Sequence, residues 1–319
     1  MNRMRLASVL LLAAAVPPQV TLTRFAGNPL MRPEMSKTLG NNINGPSVIR
    51  VPAWVKNPMG RYYLYFAHHA GQFIRLACAD SLQGPWRIYE PGVLQAKDTA
   101  FAASEPGRGT HIASPDVHVD DQRKRIVMYF HGMYRNREAG QFTQAAVSSN
   151  GLEFRVQPAI TKDFYLRVFR WAGWYYGMAR TGALWRSKDP LAAFEPGTNV
   201  FAGSPYAQRV RHVALLLRGS TLYVFFSAIG DAPERIMLST IALGSDWKDW
   251  KASPPVTVLA PEKDYECASL PVAPSTAGLA TTPVHQLRDP AIFNENGKTC
   301  LFYSVCGEQG IAGAELTLK

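Results

Sequence analysis

Gly60–His69 reads GRYYLYFAHH, and this stretch decides the fold. A glycine and a charge open onto six consecutive aromatic and aliphatic residues, too short and too continuous for an amphipathic helix and right for a strand buried on both faces. Four further stretches have the same form: Lys124–Gly132 (KRIVMYFHG), Gly173–Arg180 (GWYYGMAR), Gly219–Ser227 (GSTLYVFFS) and Gly297–Ser304 (GKTCLFYS). After four of the five runs comes a further strand and a polar turn carrying Ser, Asp, Gly and an aromatic: CADSLQGPW from Cys78, VSSNGLEF from Val147, WRSKDPLAAF from Trp185 and GSDWKDW from Gly244. A unit of strand, hairpin, strand and aromatic turn cannot bury its faces alone, so copies must stack. The predicted fold is all-β, a five-bladed β-propeller.

Aligned on Tyr65, Tyr129, Met178, Phe225 and Phe302, the runs are separated by 64, 49, 47 and 77 residues. Blades of roughly 40 to 50 residues with loop insertions account for that spacing. The final module shows three evident strands, so a segment around Val20 to Phe25 is expected to complete it and cover its edge. No change of composition divides residues 17–319, which read as one domain. Residues 1–16 carry Arg3 and Arg5, an apolar run from Leu6 to Val16 and small Ala13–Ala15, the pattern of a signal peptide too short for a comfortable transmembrane helix. The mature chain is therefore expected to be secreted or periplasmic, with no stable membrane insertion.

The net charge is +10, and +8 without the leader's two arginines. The basic residues are scattered, which reads as a solvated surface ahead of a groove for an anionic glycan, and export leaves nucleic acid an unsuited partner. Cys78, Cys267, Cys300 and Cys306 permit disulfides without revealing their pairing; Cys78 and Cys300 lie in apolar runs, where a buried free thiol is the ordinary state. None forms a CxxC pair. No metal site is predicted, and no cofactor is required, although a propeller channel leaves room for Ca²⁺. GxxxxGK[ST], GxGxxG, HExxH and GxSxG are all missing, which removes nucleotide, metalloprotease and serine-hydrolase readings.

Polar residues at the starts of the innermost strands converge on one mouth of a propeller channel. Those starts hold Asn44 and Ser47, His111 and Asp116, Tyr165 and Arg167, Arg211 and His212, and Arg288 and Asp289. His68 and His69 close the first run, where alternation sends them to opposite faces. His131 also falls near a blade mouth. Rings of His, Asn and Arg suit the hydroxyls of a sugar, and Trp54, Trp171, Trp174 and Tyr206 offer faces on which its C–H groups could stack.

Arg288–Phe293 (RDPAIF), Ala113–Val117 (ASPDV), Gly60–Ala67, Ala79–Trp86 (ADSLQGPW) and Arg24–Pro33 (RFAGNPLMRP) together resemble the five-bladed propeller glycosidases, the superfamily of glycoside hydrolase family 43 arabinanases and xylosidases and the invertase-like enzymes. The resemblance covers almost all of the mature chain. It implies a carbohydrate substrate, and catalytic acids on blades one, two and three. Asp116 matches the second of these. Blades one and three depart from the pattern, offering Asn44 with Ser47 and Tyr165 with Arg167. The expected machinery is Glu266, in Asp264–Pro271 (DYECASLP), as general acid with Asp289 or Asp116 as base, Arg288 holding Asp289 ionised. His212 is the substitute proton donor. The expected activity is an exported, inverting glycoside hydrolase; the alternatives are a non-catalytic sugar-binding propeller and a glycoside phosphorylase whose phosphate would sit on Arg167, Arg211 and His212.

Overall fold

The computed structural model describes residues 19–102, 111–134 and 140–318; the leader expected in residues 1–16 lies outside them. Among the described residues, twenty strands form five antiparallel four-stranded sheets. The first strand, β1 (Val20–Arg24), stands apart. Blade one then takes β2 (Asn44–Arg50), β3 (Tyr62–Ala67), β4 (Phe73–Ala79) and β5 (Arg87–Gln95). Blade two takes β6 (Ile112–Asp120), β7 (Arg125–Tyr134), β8 (Gly140–Ser148) and β9 (Arg155–Thr161). Blade three takes β10 (Arg167–Trp171), β11 (Trp174–Met178), β12 (Ala183–Ser187) and β13 (Glu195–Asn199). Blade four takes β14 (Val210–Arg218), β15 (Thr221–Ala228), β16 (Ile236–Ala242) and β17 (Val256–Leu259). Blade five is β18 (Arg288–Glu295), β19 (Lys298–Val305) and β20 (Gly310–Leu318), completed by β1 in the register Val20↔Leu318 to Arg24↔Ala314. The N-terminal strand thus closes the ring on the last blade, as the short final module requires.

The seams between blades explain why the decisive runs lack polar alternation. Tyr63 and Tyr65 of β3 enter a cluster with Val117, Met128 and Phe130 of blade two, while Tyr62, Leu64 and Phe66 enter another with Phe293 and Phe302 of blade five. Three further clusters fill the remaining seams. Successive side chains point to opposite faces and both faces are covered, so every position must be apolar. No helix among the described residues is long and apolar enough to cross a membrane.

Four of the five inner strands carry a register break near their start: Asn44/Ser47, Ala113/Asp116, Val210/Val213 and Arg288/Ala291. In three of them a left-handed residue precedes a proline: Gly45 (φ 61°) before Pro46, Ser114 (φ 48°) before Pro115, and Asp289 (φ 49°) before Pro290. Proline cannot donate to the ladder, and the bulge re-aims the neighbouring side chains toward the axis. Gly45 has a second constraint, because a Cβ there would stand 3.0 Å from Ser114 Cα.

Candidate active site at the channel mouth

The inner strands begin at one mouth of the channel. The loop from each second strand to the third returns to that same mouth, because adjacent strands are antiparallel. His68 and His69 of blade one, Glu234 of blade four and Glu308 of blade five arrive by this route. Two carboxylate–imidazole pairs result. His212 Nδ1 meets Asp289 Oδ1, and Ser304 Oγ donates to Asp289 Oδ2 at 3.1 Å. His69 Nδ1 lies 3.3 Å from Glu308 Oε1, with Asn42 and Asn44 donating to Glu308 Oε2 at 2.6 and 3.2 Å.

The Tyr165 ring binds the mouth together, with its centroid 3.9 Å from that of His212 and 4.1 Å from that of His131. His111 lies 6.0 Å from His131 and its Nε2 is 3.4 Å from Gln141 Oε1. Buried and without a hydrogen-bond partner are His212 Nε2, His131 Nδ1 and Asn44 Oδ1. Buried polar atoms in native proteins are nearly always satisfied by protein, water or ligand, so three open atoms at one mouth mark a place for a polar guest.

Electrostatics fix the protonation states. Burial, reinforced by Arg211, Arg167, His69 and His131, pushes His212 well below an ordinary imidazole, and burial with His111, His69 and Arg167 does the same to His131. Both are neutral at pH 7. Asp289 Oδ1 stands against Nδ1 and so favours the proton on that nitrogen, which leaves the lone pair of His212 on Nε2, the open atom. Burial opposes ionisation of Glu308, yet His69, Arg288 and Asn42 outweigh it and hold the carboxyl at about 2. Burial and the Glu308 charge raise Tyr165, which keeps its proton.

Around this mouth the guanidinium groups are neutralised. Arg211 forks onto Glu234 at 2.7 and 2.9 Å and donates to Thr276 O and Gly278 O. Arg288 bonds Gln286, Gly278 O and Glu308 (3.0 Å), with Glu234 at 3.5 Å. The expectation that Arg288 holds Asp289 ionised is therefore corrected; His212 and Ser304 are its partners. A phosphate pocket on Arg167, Arg211 and His212 is corrected likewise, since both guanidinium groups already have carboxylate or carbonyl partners and His212 is neutral. No trio of His, Cys, Asp or Glu among the described residues is spaced to hold a metal ion.

Arg167 separates the mouth from the rest of the channel, with Nη1 on Pro115 O and 3.6 Å from Asp116 Oδ1, and Nε on Val213 O. Asp116 lies beyond it. This carboxylate accepts from Val168 N–H and faces His118 Nε2, both at 2.7 Å, and lines a cavity of about 640 Å³ opening where the inner strands end. Burial works against its charge, but His118, Arg167 and the Val168 amide outweigh it and lower its pKa. Ser47 borders the same cavity, its Oγ accepting from Val117 N–H. The structure thus brings Asn44, His69, His111, His212, Arg288 and Asp289 to one mouth and places Asp116 and Ser47 on the far side of Arg167. His68 caps its own turn, Nδ1 accepting from Ala70 N–H.

Glu266 is a clear correction. Fully buried, it accepts from Arg24 Nε (2.8 Å), Tyr303 Oη (2.9 Å) and the Glu262 and Lys263 amides. Arg24 belongs to the outermost strand of blade five, so Glu266 fastens the ring closure and none of its partners is on an inner strand. Trp54 and Trp174 also miss the mouth: Trp54 bonds Asp121, and Trp174 opens β11 at the opposite face. Residues the sequence reading passed over are Asn42, Glu234 and Glu308. Asn42 stands just ahead of β2, while the signal for Glu234 and Glu308 was topological, since the turn between a blade's second and third strands returns to the mouth where its first strand begins.

No protein-family model matches the chain. Among solved structures, the fold resembles an α-L-arabinofuranosidase from Lactobacillus brevis (TM-score 0.58, 13% identity, 91% of this chain and 92% of that one). It also resembles the β-xylosidase/α-arabinofuranosidase CoXyl43 from a compost metagenome (0.57, 14%, 94% and 94%) and an N-acetylgalactosamine deacetylase from F. plautii (0.59, 11%, 88% and 90%). At identities this low the likeness is one of fold alone, the five-bladed propeller. In sequence the chain is 38% identical over 323 residues to the uncharacterized protein R118 of Acanthamoeba polyphaga mimivirus, covering 93% of this chain and 91% of that one. On that identity and coverage, the chain belongs to the same family as R118, one of five-bladed propellers.

Proposed function

We propose that this protein is a glycoside hydrolase whose acid and base are two imidazoles, each held by a buried carboxylate. The observation that carries the reading is the Asp289–His212 pair with its open Nε2 at the channel mouth. His212 Nε2 takes a proton from water as that water attacks the anomeric carbon, and His69, held by Glu308 and partly exposed, gives a proton to the departing glycosidic oxygen. Direct attack by water is a single displacement, so the anomeric centre inverts. Asn44 Oδ1 and His131 Nδ1 are available to sugar hydroxyls. The likeness to folds named as arabinofuranosidase and xylosidase supports the substrate class.

Secretion or residence in the periplasm is part of the proposal. The Cys267–Cys306 disulfide supports an oxidising compartment, and Cys78 and Cys300 remain buried free thiols.

A non-catalytic sugar-binding role has its own support, because the carboxylates of Glu234, Glu308 and Asp289 are all engaged by cations, amides or imidazole. Assay of the purified chain on arabinan, xylan and aryl glycosides separates the two. Turnover lost in His212→Ala establishes hydrolysis; sugar binding without turnover in the unaltered chain establishes the binding role and overturns the enzyme.

A further inference from the structure

On the face where the inner strands end, three recesses run into one another. The cavity of about 640 Å³ shares His118, Val119, Asp121 and Val168 with a second recess of about 340 Å³ between blades two and three. That one shares Gln122, Arg170, Tyr175 and Pro190 with a third of about 370 Å³, which reaches Arg123, Arg125 and Lys188. The walls change along the way. Val119, Val168, Phe169 and Tyr129 make the middle stretch largely apolar, whereas the outer end gathers four cations.

Two acids face those cations. Asp120 takes Arg125 at 2.9 Å and Arg123 at 3.3 Å, and Asp189 caps its turn through the Leu191 amide. Arg170 and Lys188 are exposed and lie over rings, Arg170 at 5.8 Å from the Tyr175 centroid and Lys188 Nζ at 3.8 Å from that of Trp174. A surplus of two positive charges therefore stands at the end of an amphipathic groove.

We propose that this groove binds a linear anionic polysaccharide, its carboxylates or sulfates on Arg170, Lys188 and Arg123 and its sugar rings along the apolar middle stretch. Charge complementarity selects a polyanion, and the apolar wall suits the C–H faces of sugars. Single-stranded nucleic acid is the poorer occupant, because it needs bare aromatic faces for its bases and those of Tyr175 and Trp174 are covered by cations. The site is on the opposite face from the His212 mouth and would serve to hold a polymer whether or not that mouth hydrolyses it.

The test is the migration of the purified full chain in native gels containing polygalacturonate, dextran sulfate, neutral dextran or no polymer. Retardation by at least one anionic polymer and none by neutral dextran is expected, weakening about tenfold between low and physiological salt. The carboxylate and sulfate arms identify the charged group. Arg170→Gln/Lys188→Gln, both at exposed positions, should lose about ten-fold in affinity while keeping the unaltered circular dichroism, and His212→Ala should bind as the unaltered chain does. No retardation by either anionic polymer, equal retardation of the double variant, or tighter binding to single-stranded DNA that the double variant loses would each overturn the proposal. No hydrolysis by the unaltered chain, with retardation retained, would sink only the enzymatic reading.

Discussion

His212 meets Asp289 through Nδ1 and Oδ1, across the boundary between blades four and five. Asp289 is held for this contact by a left-handed backbone at the β18 bulge and by Ser304, so the carboxylate is fully buried yet has defined partners. A neutral imidazole in this arrangement has one nitrogen fixed as donor and the other free as acceptor.

Asp289→Asn keeps the shape and tolerates the positive φ, but its amide would donate to Nδ1 and move the imidazole proton to Nε2. Turnover should fall on the order of 10³- to 10⁴-fold with the thermal midpoint little changed. Comparable kcat in the variant would show that Nε2 is not the base.

Stability should decline in mild acid. His131 and His212 stay neutral in the folded chain because burial and nearby cations depress them, whereas the unfolded chain takes up protons near pH 6.5. The unfolded state then binds more protons, so folding weakens as the pH drops below about 6.5, with a limiting slope of roughly 2.7 kcal/mol per pH unit for two imidazoles. Glu308, held at about 2, adds a further loss as the pH falls below the ordinary carboxylate value toward 2. Urea midpoints at several pH values would record the slope, and His131→Phe, which keeps a ring against Tyr165, should roughly halve it; a flat profile would contradict buried neutral histidines.

Glu266→Ala should destabilise the chain by about 3 kcal/mol, because it strands the Arg24 guanidinium and the Tyr303 hydroxyl where the ring closes. Activity per folded molecule should be unchanged. A selective loss of kcat without a shift in the denaturation midpoint would restore Glu266 to the chemistry.

Reducing the Cys267–Cys306 bond, which spans a sequence separation of 39, should cost about 4 kcal/mol by release of loop-closure entropy. Denaturation midpoints with and without reductant would record it. Cys267→Ser/Cys306→Ser should match the reduced chain.

The propeller was legible because the seams impose it locally: a strand covered on both faces, such as Tyr62–Ala67, must be apolar throughout. The missing fourth strand of blade five pointed to residues around Val20, and β1 is found there. Of the site, the inner-strand starts exposed Asn44, His212 and Asp289 as candidates. Asp116 stands two residues further along its strand, level with Ser47 and Ala291 past the bulge, and this puts its carboxylate beyond the Arg167 guanidinium. Glu266, expected as the general acid, sits in a loop that folds back against β1.

The sequence by itself determined the number of blades, the strand that closes the ring and the polar character of the inner-strand starts, because burial on alternating faces acts between residues a few positions apart. Only the tertiary structure decided which charges meet. Glu308 with His69, Asp289 with His212 and Glu234 with Arg211 join different blades or different strands, and whether a buried acid is a neutralised anchor or a partner for chemistry depends on cations brought to it by closure of the ring.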